Sequence, residues 1–145
     1  MLGNEEARED KAMIVLDTSF LIDYFRGVEV TRNLVKDIAE DDVAVTVITY
    51  HEVLTGLKRR KSRKEEKFFK KFFSEIRILP FDVKAAEESS SVAAKLMAVG
   101  KEVNAFDVLV AGIAIANGAD KIVTRDSDFV EIAKVSDIDV VAYRV

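Results

Sequence analysis

The sequence predicts an α/β fold in which a five-stranded parallel sheet is covered by helices on both faces, and three observations carry that expectation. Short runs rich in Val, Ile and Leu alternate with longer stretches of helical periodicity along the chain, the order that builds βαβ units. The first run, Ile14-Val15-Leu16, is apolar without interruption, as a central parallel strand buried on both faces must be. It stops abruptly on Asp17, Thr18 and Ser19, and the carboxyl end of such a strand is where open α/β sheets place their chemistry.

The elements follow in order. Residues 1–12 are polar, mostly acidic and aperiodic, and read as a disordered extension ahead of a single domain spanning 13–145. After the Asp17 turn, the cluster Phe20, Leu21, Ile22, Tyr24 and Phe25 makes a short helix closed by Gly27. Leu34, Val35, Ile38 and Ala39 stripe a second helix that ends at Asp41-Asp42. Residues 43–49, rich in Val, Ile and Thr, read as the second strand. Thr49 and Glu52 have capping-box spacing and open a helix through Val53, Leu54 and Leu57 that continues into a basic segment.

Phe68, Phe69, Phe72, Phe73 and Ile76 form a narrow aromatic stripe with lysines on the other faces. Residues 76–81 are the third strand, and a helix over 83–98 is stopped by Gly100. Residues 105–116 are apolar nearly all round, with Gly112 inside and Asn104 as cap, so this helix is buried on most sides. A fourth strand at 121–124, a short helix at 126–133 and a fifth strand at 138–142 complete the alternation.

Bulk properties narrow the chemistry. A chain of 145 residues, 49% hydrophobic, can bury one substantial core. The lack of cysteine removes disulfides, thiolate zinc sites and a cysteine nucleophile. No apolar stretch nears the roughly 20 residues of a membrane span and no signal-peptide pattern is visible, so a cytoplasmic protein without membrane contact is expected. The net charge of -4 argues against indiscriminate nucleic-acid binding. Yet Lys58, Arg59, Arg60, Lys61, Arg63, Lys64, Lys67, Lys70 and Lys71 crowd one stretch, relieved only by Glu65 and Glu66. There is no Walker loop, no G-x-G-x-x-G fingerprint and no G-x-S-x-G elbow.

Asp17, Glu52, Asp107 and Asp126 each fall where a strand or loop hands over to a helix. Any one of them alone is explained by helix capping or by the helix dipole. Together they differ, because the carboxyl ends of parallel strands share one edge and bring such residues together. Carboxylates crowded in a cleft repel one another, and a hard cation such as Mg²⁺ or Mn²⁺, which takes oxygen ligands, relieves the repulsion. The single histidine, His51, reads as a surface or packing residue. The aromatic stripe reads most simply as packing, with any exposed part available to a dimer or partner contact.

The segments Ile-Val-Leu-Asp-Thr-Ser at Asp17, Asn-Ala-Phe-Asp-Val-Leu-Val-Ala at Asp107 and Val-Thr-Arg-Asp-Ser-Asp-Phe at Asp126, with Glu52 at a helix start, resemble the PIN-domain ribonucleases, and among them the VapC-type toxins of toxin–antitoxin pairs. The resemblance runs from about Met13 to the end of the chain. It implies a three-layer α/β/α sandwich, Mg²⁺- or Mn²⁺-dependent endoribonuclease activity, and a homodimer held by an antitoxin. Asp17, Glu52 and Asp107 match the family's invariant acids and Asp126 its more variable fourth. Thr18 or Ser19, and Thr124, match polar positions that support the site, and Asp128 falls beside Asp126. Arg59, Arg60 and Lys61 are then the residues expected to bring in the RNA backbone, since an acidic cleft repels it. Two other readings remain at this point. One is a non-catalytic PIN-like binding or scaffold module. The other is an aspartyl-phosphate protein built on Asp17, which lacks the second acid two residues on that such a phosphatase carries.

Overall fold

The structure, a computed structural model, describes residues 11–145, so the expectation for the N-terminal extension falls almost wholly outside the described residues. Ala12, just before β1, already contacts the neighbouring strand, its carbonyl accepting from the Asp42 amide at 2.9 Å. The order is β1 (Met13–Leu16), α1 (Thr18–Phe25), α2 (Glu29–Ile38), β2 (Asp42–Thr46), α3 (Val47–Arg59), α4 (Arg63–Glu75), β3 (Arg77–Leu79), α5 (Val83–Ala98), α6 (Ala105–Ala116), β4 (Lys121–Thr124), α7 (Asp128–Lys134) and β5 (Asp139–Ala142). The strands pair in the order β3-β2-β1-β4-β5, every pair parallel.

Side chains leave each strand alternately, and the core divides accordingly. Ile14 and Leu16 of β1, Val45 of β2 and Val123 of β4 join Phe20, Leu21, Val53, Leu57, Phe69 and Phe73 on one face. Val15, Ala44 and Ile122 join residues of α5, α6 and α7 on the other. The result is the expected α/β/α sandwich with a five-stranded parallel sheet. Gly112 lets α5 and α6 approach closely: a Cβ there would lie 2.4 Å from the Ser89 Cβ and 2.8 Å from the Ala85 carbonyl oxygen.

Strand order sets the site. From β1 the chain proceeds to β2 and β3 on one side, then crosses to β4 and β5 on the other. Elements after β1 and β4 therefore diverge, opening a crevice at the carboxyl ends where the order reverses, the usual ligand position in open α/β sheets. Asp17 follows β1 directly and Asp126 lies two residues beyond β4.

Several boundaries differ from the sequence reading. The second strand ends at Thr46, not at residue 49, and Val47, Ile48 and Thr49 form the first turn of α3. Thr46 is the N-cap, its hydroxyl accepting from the Thr49 amide at 3.2 Å. The Thr49 and Glu52 pair is therefore not a capping box, and Glu52 sits in the second turn. A local cap and tertiary packing override the β-propensity of three branched residues. The helix does not continue through the basic segment either. Lys61 takes the left-handed conformation (φ 56°); its amide donates to the Lys58 carbonyl at 3.1 Å and the Ser62 amide to that of Leu57 at 3.1 Å. This is the double hydrogen bond of a Schellman stop, formed without the usual glycine. The third strand shortens to Arg77–Leu79 and the last helix begins at Asp128 rather than 126.

Candidate functional site

Asp17 is the N-cap residue of α1 but makes no side-chain cap bond. Its Oδ2 instead accepts from Ser19 Oγ and from Thr124 Oγ1, both at 2.9 Å. Burial raises the Asp17 pKa above its ordinary value, and these hydroxyls oppose the rise. Thr18 turns the other way and donates to Glu52 Oε1 at 2.8 Å. Burial is also the main cause of a raised Glu52 pKa, with the charges of Asp17 and Asp126 adding to it. Ser19 serves twice, since its Oγ also accepts the Arg125 amide at 3.0 Å and so ties the β1 end to the β4 end.

Asp126 and Asp128 come from the turn into α7. Asp126 Oδ1 accepts the Asp128 amide at 2.9 Å, and Asp128 Oδ2 accepts the Asn104 amide at 2.9 Å. Asn104 in turn caps α6, its Oδ1 accepting from the Phe106 amide at 2.8 Å. Asp107, in the first turn of α6, completes the group: one carboxylate oxygen each from Asp107, Asp126 and Asp128 lie within 4.8 Å of one another.

Asp107 is the least satisfied member. It is 6% exposed, and its Oδ2 is the buried side-chain oxygen that finds no hydrogen-bond partner among the described residues. Its pKa is pushed up to about 9, first by burial, then by the neighbouring Asp126 carboxylate and the charges of Asp17, Asp126 and Asp128. Two carboxylates can bond each other only with a proton between them, or can share a cation. A buried carboxylate with no donor, set in an all-oxygen cluster, fits a hard divalent ion and not a soft one that prefers thiolate or imidazole.

The fold brings Asp107 and Asp126 together with Asp128, and it sets Asp17, held by Ser19 and Thr124, and Glu52, held by Thr18, near enough for their charges to act on the neighbouring carboxylates. It shifts the centre of the cluster, because Asp128 joins Asp107 and Asp126 as a possible ligand rather than standing behind them. The basic residues divide. Arg59 and Arg60 line a groove that includes Glu52, whereas Lys61 lines a separate hollow with Leu57, Lys58 and Glu66. His51 is exposed and meets the Phe106 ring edge-on, with centroids 5.8 Å apart.

Asp23, Arg125 and Tyr143 escaped the sequence reading. Buried Asp23 accepts from Arg125 Nε at 2.7 Å and Nη2 at 3.2 Å, and from the Tyr143 hydroxyl at 2.8 Å. Burial pushes the Asp23 pKa up, but the bonds from Arg125 and Tyr143 and the Arg125 charge outweigh it and leave the pKa lowered. Because Arg125 immediately precedes Asp126, this fork anchors the turn that carries Asp126. The available signal was a single carboxylate inside the apolar α1, which must find a partner if buried.

Known proteins share this fold. Over 44 residues the chain is 54% identical to an uncharacterized protein of Archaeoglobus fulgidus, a match spanning 30% of this chain and 79% of that one. The structure of VapBC2 from Rickettsia felis, bound to a DNA fragment from its promoter, superposes with a TM-score of 0.79 at 19% identity, covering 91% of this chain and 99% of that chain. FitAcB from Neisseria gonorrhoeae gives 0.74 at 26% identity, covering 88% and 96%. VapC20 of Mycobacterium tuberculosis, described as a Sarcin-Ricin loop cleaving toxin, gives 0.63 at 16% identity, covering 87% and 98%. The model of the PIN domain matches residues 14–135, from the first strand through the last helix with every acid of the cluster inside it, and the chain belongs to the PIN domain family.

Proposed function

We propose that this protein is a divalent-metal-dependent endoribonuclease that hydrolyses phosphodiesters in unpaired RNA, acting as the toxin of a toxin–antitoxin pair. The observation that carries the proposal is the unpartnered, buried Asp107 oxygen inside a carboxylate cluster at the sheet's switch point. Such a group is costly unless a cation occupies the cluster. Asp107, Asp126 and Asp128 would hold Mg²⁺ or Mn²⁺, with Asp17 and Glu52 contributing the adjoining negative charge. A divalent ion held there would supply Lewis-acid chemistry, lowering the pKa of water and offsetting charge on the scissile phosphate.

The chain's own residues do the positioning. Ser19 and Thr124 fix Asp17, Thr18 fixes Glu52, and Asp23 through Arg125 fixes the turn bearing Asp126. Arg59 and Arg60, beside Glu52, are suited to the approaching phosphate backbone. The toxin role is supported by neighbours that are toxin–antitoxin complexes, and RNA as substrate by the description of one as a loop-cleaving toxin. We assign an antitoxin contact, and association into a homodimer, to the aromatic surface where Phe25 packs against Phe68 and Phe72 at centroid distances of 5.2 and 5.1 Å.

Cleavage of an end-labelled, unstructured RNA tests the proposal. Wild-type protein should cut with Mg²⁺ or Mn²⁺ and stop when a chelator is added, Asp17→Asn should not cut, and Asp107→Asn should lose most of the metal affinity that titration calorimetry measures for wild type. Cleavage that survives chelation, or equal metal affinity in wild type and Asp107→Asn, rules the mechanism out. Metal binding without cleavage of any RNA favours the non-catalytic module.

A further inference from the structure

Beside the acidic cluster lies a groove of about 300 Å³ whose walls include His51, Glu52, Gly56, Arg59, Arg60 and Phe106. Two of these residues are chain neighbours of site carboxylates: His51 precedes Glu52 in α3, and Phe106 precedes Asp107 in α6. The second turn of α3 and the first turn of α6 therefore place two aromatic rings edge-on beside the acids they carry. Phe106 is 39% exposed and lines the groove, so part of its ring is open to a ligand there.

The charge is complementary to a nucleic acid. Arg59 forms no ion pair among the described residues, and Arg60 holds only the exposed Glu65, at 3.4 Å with both side chains more than half exposed. Such a surface pair contributes little and exchanges readily for a phosphate. Gly56 keeps the groove open, since a Cβ there would meet the Arg60 guanidinium at 3.8 Å and any longer side chain would extend into the space.

We propose that this groove is a nucleotide subsite, in which Phe106, flanked by His51, stacks one unpaired base adjacent to the scissile phosphate while Arg59 and Arg60 hold the phosphate next to it. This rests on the ribonuclease reading and adds to it the strand-tracking contact that a metal-centred reaction lacks. Aromatic stacking serves any base, and arginines beside it follow the backbone, the combination used for single-stranded nucleic acid. A base in a duplex is stacked already and gains nothing here, so the subsite selects unpaired RNA.

The test measures binding of a fluorescent single-stranded heptaribonucleotide to the Asp17→Asn protein in Mg²⁺, so that the strand survives. Phe106→Leu should weaken binding about 5- to 150-fold, the range of one lost stacking contact. Gly56→Leu, which fills the groove and adds a better helix former, should weaken it comparably. Arg59→Gln should reduce the salt dependence by about one phosphate contact. An abasic nucleotide walked along the strand should mimic Phe106→Leu at one position, and at that position Phe106→Leu should add no further loss.

Unchanged binding in both Phe106→Leu and Gly56→Leu, with wild-type protein still cleaving RNA, overturns the subsite and leaves the nuclease standing. Failure of wild-type protein to bind or cleave any RNA overturns both. Loss of antitoxin capture in these variants with RNA binding intact assigns the groove to the antitoxin and likewise overturns the proposal.

Discussion

Neutralising Asp107 should strengthen the metal-free protein while abolishing its response to divalent cations. In the unfolded chain this carboxyl titrates at its ordinary 3.8, and in the fold at about 9. Below about pH 4 both states keep the proton and no penalty exists. As pH rises toward 9 the unfolded chain releases its proton while the folded one retains it, so stability falls by about 1.4 kcal/mol per pH unit. Above that the loss is complete. At pH 7 the accumulated loss reaches at most about 4 kcal/mol, and sharing of protons among the neighbouring carboxylates and relaxation of the site reduce it. Asp107→Asn, with an amide that can donate where the carboxylate oxygen has no partner, should therefore gain about 1 to 3 kcal/mol, or roughly 3 to 10 °C in Tm.

Thermal melting across the neutral to mildly alkaline range, with chelator and with Mg²⁺, reads both effects. Without metal the variant should melt above wild type, by a margin that widens as pH rises and closes in acid. With Mg²⁺ the wild type should gain and the variant should not. A variant that melts below wild type in chelator at alkaline pH, or a margin independent of pH, refutes the account of Asp107 as a group held in deficit for a cation.

Other outcomes follow from the same structure. Arg125→Met leaves buried Asp23 with only the Tyr143 hydroxyl and should cost about 1 to 3 kcal/mol in urea unfolding, moderated because Arg125 is itself half exposed. Since the Asp23 pKa is lowered in the fold, its stabilisation is present above pH 3.8 and disappears as pH falls through the folded value, so the variant should show a shallower acid transition than wild type. Gly112→Ala sets a methyl against the backbone of α5 and should cost about 1 to 3 kcal/mol, read as a lower urea midpoint. Phe69→Glu should fail to fold, because that ring is 6% exposed, whereas Phe68→Glu, at 53% exposed, should fold and weaken self-association or antitoxin binding in sedimentation.

The aromatic stripe shows how far residue order reached. Its helical period was plain, but whether it was core or contact was not, because one helix turns different rings to different surroundings. Phe69 and Phe73 are buried against the sheet, and Phe68 is left outside with Phe72 partly covered. The break at Lys61 was hidden for a different reason. A stop made with a lysine in the left-handed region lacks the glycine that marks such ends, and a run of cations continues the appearance of one helix.

Residue order alone sufficed for the strand and helix alternation and the apolar central strand, and it marked Asp17 at the end of that strand, because burial imposes period and parallel sheets impose a common edge for chemistry. Contacts between distant segments decided the rest. Asp128 enters the carboxylate cluster, Arg59 and Arg60 part from Lys61, and Asp23 reaches across 102 residues to the arginine beside Asp126. None of these leaves a periodic trace, since each depends on which side chains the switch in strand order brings within bonding distance. The same is true of the unpartnered oxygen on Asp107: a sequence names the carboxylate, but only packing determines whether a donor is there to meet it.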